Sequence, residues 1–167
     1  MQQLALLPED DNVNYILPYR NDQVPMDPMV ARFLASDLTL NDIYIVQDWI
    51  AENMPNYTGP VAEHYFSDGL YARPLDIPAG ILAIGHTHAK GHLTMLMKGD
   101  LTIVSRNGKE RVKAPCIWVD EPGIKRMVYA HQDSTIVTVH GTNLTDLKEL
   151  EEELTVDETT LRSMEAI

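Results

Sequence analysis

The 167-residue sequence predicts a mainly β protein, a sandwich or barrel at residues 67–142 set between a helical arm (1–66) and an acidic helical segment (143–167). Three observations predict it. Asn107-Gly108 stands between "LTIVS" and "ERVKA", a two-residue type I′ hairpin signal. "TIVTVH" at 135–140 is β-branched and favours a strand. Short runs of this kind recur at roughly even spacing through the middle of the chain, while helix signals are confined to its two ends.

In the arm, "DPMVARFLA" offers Asp27 as a helix N-cap and Pro28 at the first helical position, where no N–H is missed. A second helix starts near Thr39 and ends before Pro55, with Ile43, Val46, Trp49 and Ile50 on one face. Such an apolar stripe has to be buried, and the β region is the surface available. At the other end Leu147, Leu150 and Leu154 recur at helical spacing. A helix capped near Thr145 lays that edge on the β domain and leaves its glutamates in water.

Composition removes several function classes. The chain carries 13 Lys and Arg against 25 Asp and Glu, a formal net charge of −12, so a phosphate backbone or an anionic membrane surface is repelled. Its basic residues are scattered, with no aromatic stacking platform beside them, which argues against nucleic acid. No apolar run approaches the ~20 residues of a membrane span, and "MQQLALLPEDD" lacks the basic and apolar regions of a leader. The single cysteine, Cys116, fits a reducing, cytoplasmic setting and a small core residue.

"GHTHAKGH" at 85–92 holds three of the six histidines. His86 and His88 are two apart on an expected strand and share a face. If Ala89-Lys90-Gly91 forms a three-residue hairpin loop with Gly91 left-handed, His92 lies directly across from His88, with Cβ atoms ~5 Å apart. Three imidazoles then come within reach of one metal ion, whose bonds to nitrogen are ~2.0–2.1 Å. Buried together without an ion, they would be costly, because each ring nitrogen needs a partner.

From Gly80 to Gly99 the chain reads Gly-x5-His-x-His-x3-His-x6-Gly. This resembles the first motif of the cupin superfamily, Gly-x5-His-x-His-x3–4-Glu-x6-Gly, with His92 in the glutamate position. The resemblance covers roughly residues 70 to 141. It implies a double-stranded β-helix, or jelly roll, a divalent transition metal, and a homo-oligomer, dimeric or higher. The family's second motif, Pro-x-Gly-x2-His, is matched only in part by "EPGIKR": Gly123 fits, Pro122 is shifted by one, and Arg126 stands where histidine is expected. His140 is the replacement ligand if "RMVYA" and "TIVTVH" pair through a three-residue loop, which sets Arg126 beside His140. A four-residue loop would turn His140 away.

The expected metal ligands are thus His86, His88, His92 and His140. Arg126 either holds a carboxylate or phosphate in bidentate fashion or is an ion-pair partner. Imidazole donors suit Fe, Mn, Ni, Zn or Cu rather than Mg or Ca. Three histidines with a nearby arginine are similar to the arrangement in cupin-fold thiol dioxygenases, which implies an oxygenase; a lyase or isomerase is equally compatible. Tyr65, Tyr71 and Tyr129 stand unranked as general bases, and His64 and His131 read as loop residues. The alternative is a non-catalytic cupin using its histidines as hydrogen-bond donors, with a structural or assembly role. "GLYARPLDIPAG", "APCIWVDEPGIKR" and "TVHGTN" resemble small cupin-like proteins of tailed phages, which implies a virion or accessory protein. In "HLTMLMK" both faces are apolar, so the outer one calls for a cover, either the arm or a second subunit.

Overall fold

The computed structural model describes residues 13–17, 38–53, 62–158 and 161–162. The helix expected at "DPMVARFLA" lies outside them. Among the described residues ten strands form two antiparallel sheets. They are β1 (Val13–Leu17), β2 (Tyr65–Ser67), β3 (Leu70–Ile77), β4 (Leu82–Gly85), β5 (His92–Lys98), β6 (Asp100–Ser105), β7 (Gly108–Lys113), β8 (Cys116–Asp120), β9 (Met127–Ala130) and β10 (Ser134–Gly141). One sheet runs β1-β4-β9-β6-β7 and the other β2-β3-β10-β5-β8. From β3 to β10 the chain crosses repeatedly between the sheets, which gives β4-β9-β6-β7 facing β3-β10-β5-β8. That is the strand order of an eight-stranded jelly roll. The sheets keep separate edges and do not close into the barrel that the sequence suggested.

Period-two alternation builds the core. Leu75, Ile77, Leu96, Ala83, Leu101, Ile103, Val128 and Ala130 meet between the sheets. The opposite face of the first sheet is apolar too: Leu82, Ile84, Val104, Met127 and Tyr129 are covered by Ile43, Val46 and Ile50 of helix α1 (Leu40–Asn53). Thr39 begins this helix as expected, and its amide donates to Asp42 Oδ2 at 2.8 Å, closing the first turn. Trp49 is 38% exposed, whereas Gln47 is buried, so the helix is rolled slightly from the expected face. The arm is also not purely helical, since β1 adds an edge strand to β4. Among the described residues no helix is long and apolar enough to cross a membrane.

The Asn107-Gly108 hairpin forms with a different turn. Ser105 pairs with Gly108, so the loop is Arg106-Asn107, and among the described residues only glycines have positive φ. A type I′ turn needs positive φ at both loop positions; here Gly108 alone takes it, at 105°. Among the described residues nothing covers the outer face of the second sheet. Leu93, Met97, Ile117 and Val119 are 41–69% exposed, with Val137 and Val139 paired beside Met95 and Leu93.

Candidate metal centre

Neither expected hairpin around the histidines forms, yet three of the rings converge. β4 and β5 belong to different sheets, so residues 86–91 cross between the sheets instead of turning back. Gly91 accordingly has no positive φ. His92 opens β5, buried, opposite Asp120 on β8. β9 and β10 are likewise in different sheets, so Arg126 and His140 do not pair; His140 lies opposite Tyr71 of β3. His88 is held from outside, because the chain beyond helix α2 (Leu147–Leu154) runs back along it. A bridge joins His88 to Thr155, Ala89 N–H donates to Leu154 O at 2.7 Å, and Val156 N–H donates to Thr87 O at 2.9 Å.

His88, His92 and His140 each present a nitrogen within 4.8 Å of the other two. Their ring centroids are 4.4 to 4.9 Å apart. Ligands of one ion with ~2.1 Å bonds sit about 3.0–3.4 Å from each other, so a modest rotation of the rings closes the set. His86 lines the same cavity and stands outside this trio.

The electrostatics favour neutral imidazoles. Burial first, then the charges that His92, His140 and Arg73 would carry, pushes His88 down to about 2. Burial, with His92 and Arg73, pushes His140 down to about 4, against the opposing pull of Asp120. His92 is lowered by burial despite the Lys90 carbonyl and Asp120. Lone pairs are therefore exposed at neutral pH. Nδ1 of His88 and Nδ1 of His140 are buried with no hydrogen-bond partner, a cost that a cation removes. The donor set thus fits a transition metal.

Asp120, unremarked in the sequence, organises the neighbourhood. It accepts Arg126 Nε at 2.7 Å, Thr94 Oγ1 at 2.5 Å and Trp118 Nε1 at 3.2 Å, and its Oδ2 is 3.5 Å from His92 Nε2. Arg126 is therefore an ion-pair partner, although it also borders the cavity. Of the tyrosines, Tyr65 bonds Glu63 on the surface and Tyr129 lies under α1. Tyr71 lines the cavity, 6.0 Å from the His140 ring, and its hydroxyl is 2.7 Å from Nδ1 of a buried His64. His131 is 2.7 Å from Thr102 Oγ1 instead. The signal for Asp120 was its parity: it alternates with the exposed Ile117 and Val119, and so faces inward.

The cavity measures about 130 Å³ and runs from the histidines toward Ile77 and Ile136, roofed by Leu147, Leu150 and Leu154. A jelly roll with a histidine cluster between its sheets, and with the Gly80-to-Gly99 spacing, has the cupin fold.

No family model matches the chain and no curated protein matches it. Solved structures do. An acetylacetone dioxygenase from Acinetobacter johnsonii is 17% identical over 48% of this chain, at TM-score 0.41. The match spans 58% of that enzyme's length. A cupin-2 domain protein from Shewanella frigidimarina is 11% identical over 63% of this chain and 94% of its own, at TM-score 0.43. An oxalate decarboxylase variant from B. subtilis is 14% identical over 54% of this chain and 27% of its own, at TM-score 0.46. At these values the fold rests on the chain's own strand order.

Proposed function

We propose that this protein is a metal-dependent cupin enzyme acting on a small anionic molecule, with His88, His92 and His140 as the ligands. The observation that carries the reading is the trio of imidazoles, His88 half-buried and His92 and His140 buried, with nitrogens within 4.8 Å of one another and an unpartnered buried Nδ1 on His88 and on His140. A divalent Fe, Mn, Ni, Zn or Cu ion would supply Lewis-acid or oxygenase chemistry there. Oxygenase and lyase types both suit such a centre. The chain's own residues have separate tasks. Asp120 steadies the His92 ring and neutralises Arg126, and the α2 leucines keep water from the cavity. His86 has a place beside the ion rather than on it.

The same reading includes a homo-oligomer, dimeric or larger, seated on the open face at Leu93, Met97, Ile117 and Val119, and a cytoplasmic setting. A non-catalytic assembly module, virion-borne if phage-encoded, is the competing reading favoured by that open face.

Metal analysis of tag-free protein tests the centre. We expect about one ion per chain, lost in His88→Ala and His140→Ala and kept in His86→Ala. Less than about a tenth of an ion per chain after reconstitution refutes the metal. Metal lost from His88→Ala while light scattering shows an unchanged assembly separates the centre from a structural role.

A further inference from the structure

One continuous stretch of chain closes the cavity on one side. Leu147, Leu150, Glu151 and Leu154 of α2 and the Thr155 that follows line it there, while the sheets and the crossings between them supply the rest. The apolar grip of this stretch is small and separate. Leu150 and Leu154 are buried with Tyr71, and Leu144 and Leu147 pack beside them, apart from both clusters that hold the sheets and α1 together. A satellite cluster of this kind opens at a lower free energy than a shared core and does not take the core with it.

Beyond α2 the fastenings are polar. Glu158 pairs with the buried Lys125 and accepts from Gln47 Nε2 of α1 at 2.5 Å. Arg162 holds Asp48 of α1 through two bonds of 2.8 Å, with its guanidinium 4.5 Å over the Tyr44 ring. An ion pair taken out of water gains little over its separated, hydrated partners. Beside it Gln47 Oε1 is buried with no hydrogen-bond partner, a deficit that water meets once the strap lifts. Contacts of this type fix a segment in one place and release it at modest cost.

We propose that residues 144–158, with Arg162, form a lid over the histidine trio, hinged where the chain leaves β10 and latched to α1 and Lys125 by Arg162 and Glu158. Ions and ligands exchange by release of this latch, with both sheets intact. The proposal rests on the metal-centre reading only for what passes the lid, since the movement itself is read without an ion.

Native-state hydrogen exchange on the metal-free full chain tests the movement. The amides of Ala89, Leu150, Thr155 and Val156 all bond within the lid or across its seam. They should exchange as one group, with an open fraction about a hundredfold or more above that of amides in β6 and β9. A single opening free energy shared with β6 and β9 overturns the lid. Asp48→Cys with Arg162→Cys, in a Cys116→Ser background and joined by a short bis-maleimide, tethers the open form. The cross-link should slow the four lid amides about tenfold or more, and unchanged rates overturn the proposal. Zinc loaded beforehand should be lost to excess chelator more slowly by a similar factor. Equal loss with and without the cross-link overturns the gating. Lid amides that behave as stated in a chain that takes up no zinc overturn the metal reading alone.

Discussion

Gly99 closes the histidine motif, and its replacement by alanine gives a quantitative test of why a glycine stands there. The residue sits at the corner where β5 leaves one sheet and β6 enters the other, with φ at 100°. A Cβ built on it would lie 2.0 Å from Ser134 Oγ and 2.6 Å from Ser134 Cα. Rotating the hydroxyl relieves the first contact but not the second, because backbone is held by β10. Moving Ser134 also disturbs its bonds from Asp100 N–H, at 3.3 Å, and to Gln132 O, at 2.7 Å. Positive φ costs a side-chain-bearing residue about 1–2 kcal/mol, and overpacking adds about 1–3. Gly99→Ala should therefore lose roughly 2–5 kcal/mol in urea unfolding, with a thermal midpoint roughly 10 °C lower. Gly91→Ala is the control. Its Cβ would meet only the Asp120 carbonyl at 3.4 Å and the Pro122 ring at 3.7 Å, at negative φ, so it should change stability by less than about 1 kcal/mol. A Gly99→Ala protein within about 0.5 kcal/mol of wild type, or one no worse than Gly91→Ala, would show that the corner is not as tight as described.

Three further outcomes follow from the C-terminal segment. Lys125 is buried, its side chain 1% exposed, and paired with Glu158, which also accepts from Gln47 Nε2 at 2.5 Å. Glu158→Gln should cost about 3 kcal/mol by leaving an uncompensated buried ammonium, and adding Lys125→Met should restore most of it; equal stability of the single and double variants in urea would refute the pairing. Burial pushes the Glu158 carboxyl up, yet the Lys125 hydrogen bond and charge outweigh it and hold it below its ordinary 4.5. Its contribution is thus complete above pH 4.5 and fades as pH falls through the lower folded-state value, so wild type, and not Glu158→Gln, shows that acid loss in melts across the window. Leu150, 2% exposed among Tyr71 and Leu154, should cost roughly 2–4 kcal/mol as Leu150→Ala, read by thermal unfolding, with a cost under about 1 kcal/mol contradicting its place in the roof.

Local signals and long-range ones were not equally legible. "HLTMLMK" became β5 residue for residue, and Leu150 and Leu154 are buried as their spacing predicted, with Asp146 capping instead of Thr145. Alternation and helical period are properties of a few neighbouring residues, so a sequence displays them. Strand partners are not. The chain offers Gly91 as a turn and "RMVYA" beside "TIVTVH" as a hairpin, and in each case the two strands part into different sheets. The convergence of His88, His92 and His140 was anticipated on the wrong connections, and it arises from the jelly-roll crossings. Asp120 was legible by parity alone, as an inward-facing charge on an alternating strand, but its partner choice needed the register.

The stretch bearing His88 takes one main-chain bond from Gly123 N–H, at 2.8 Å to His88 O, and the others from Leu154, Thr155 and Val156, which leave the ribosome long after it does. During synthesis the jelly roll can assemble its two sheets while this loop still waits for its clamp. Loading of an ion would then come as a late event in maturation, and a chain broken before α2 would keep its sheets yet have little hold on one.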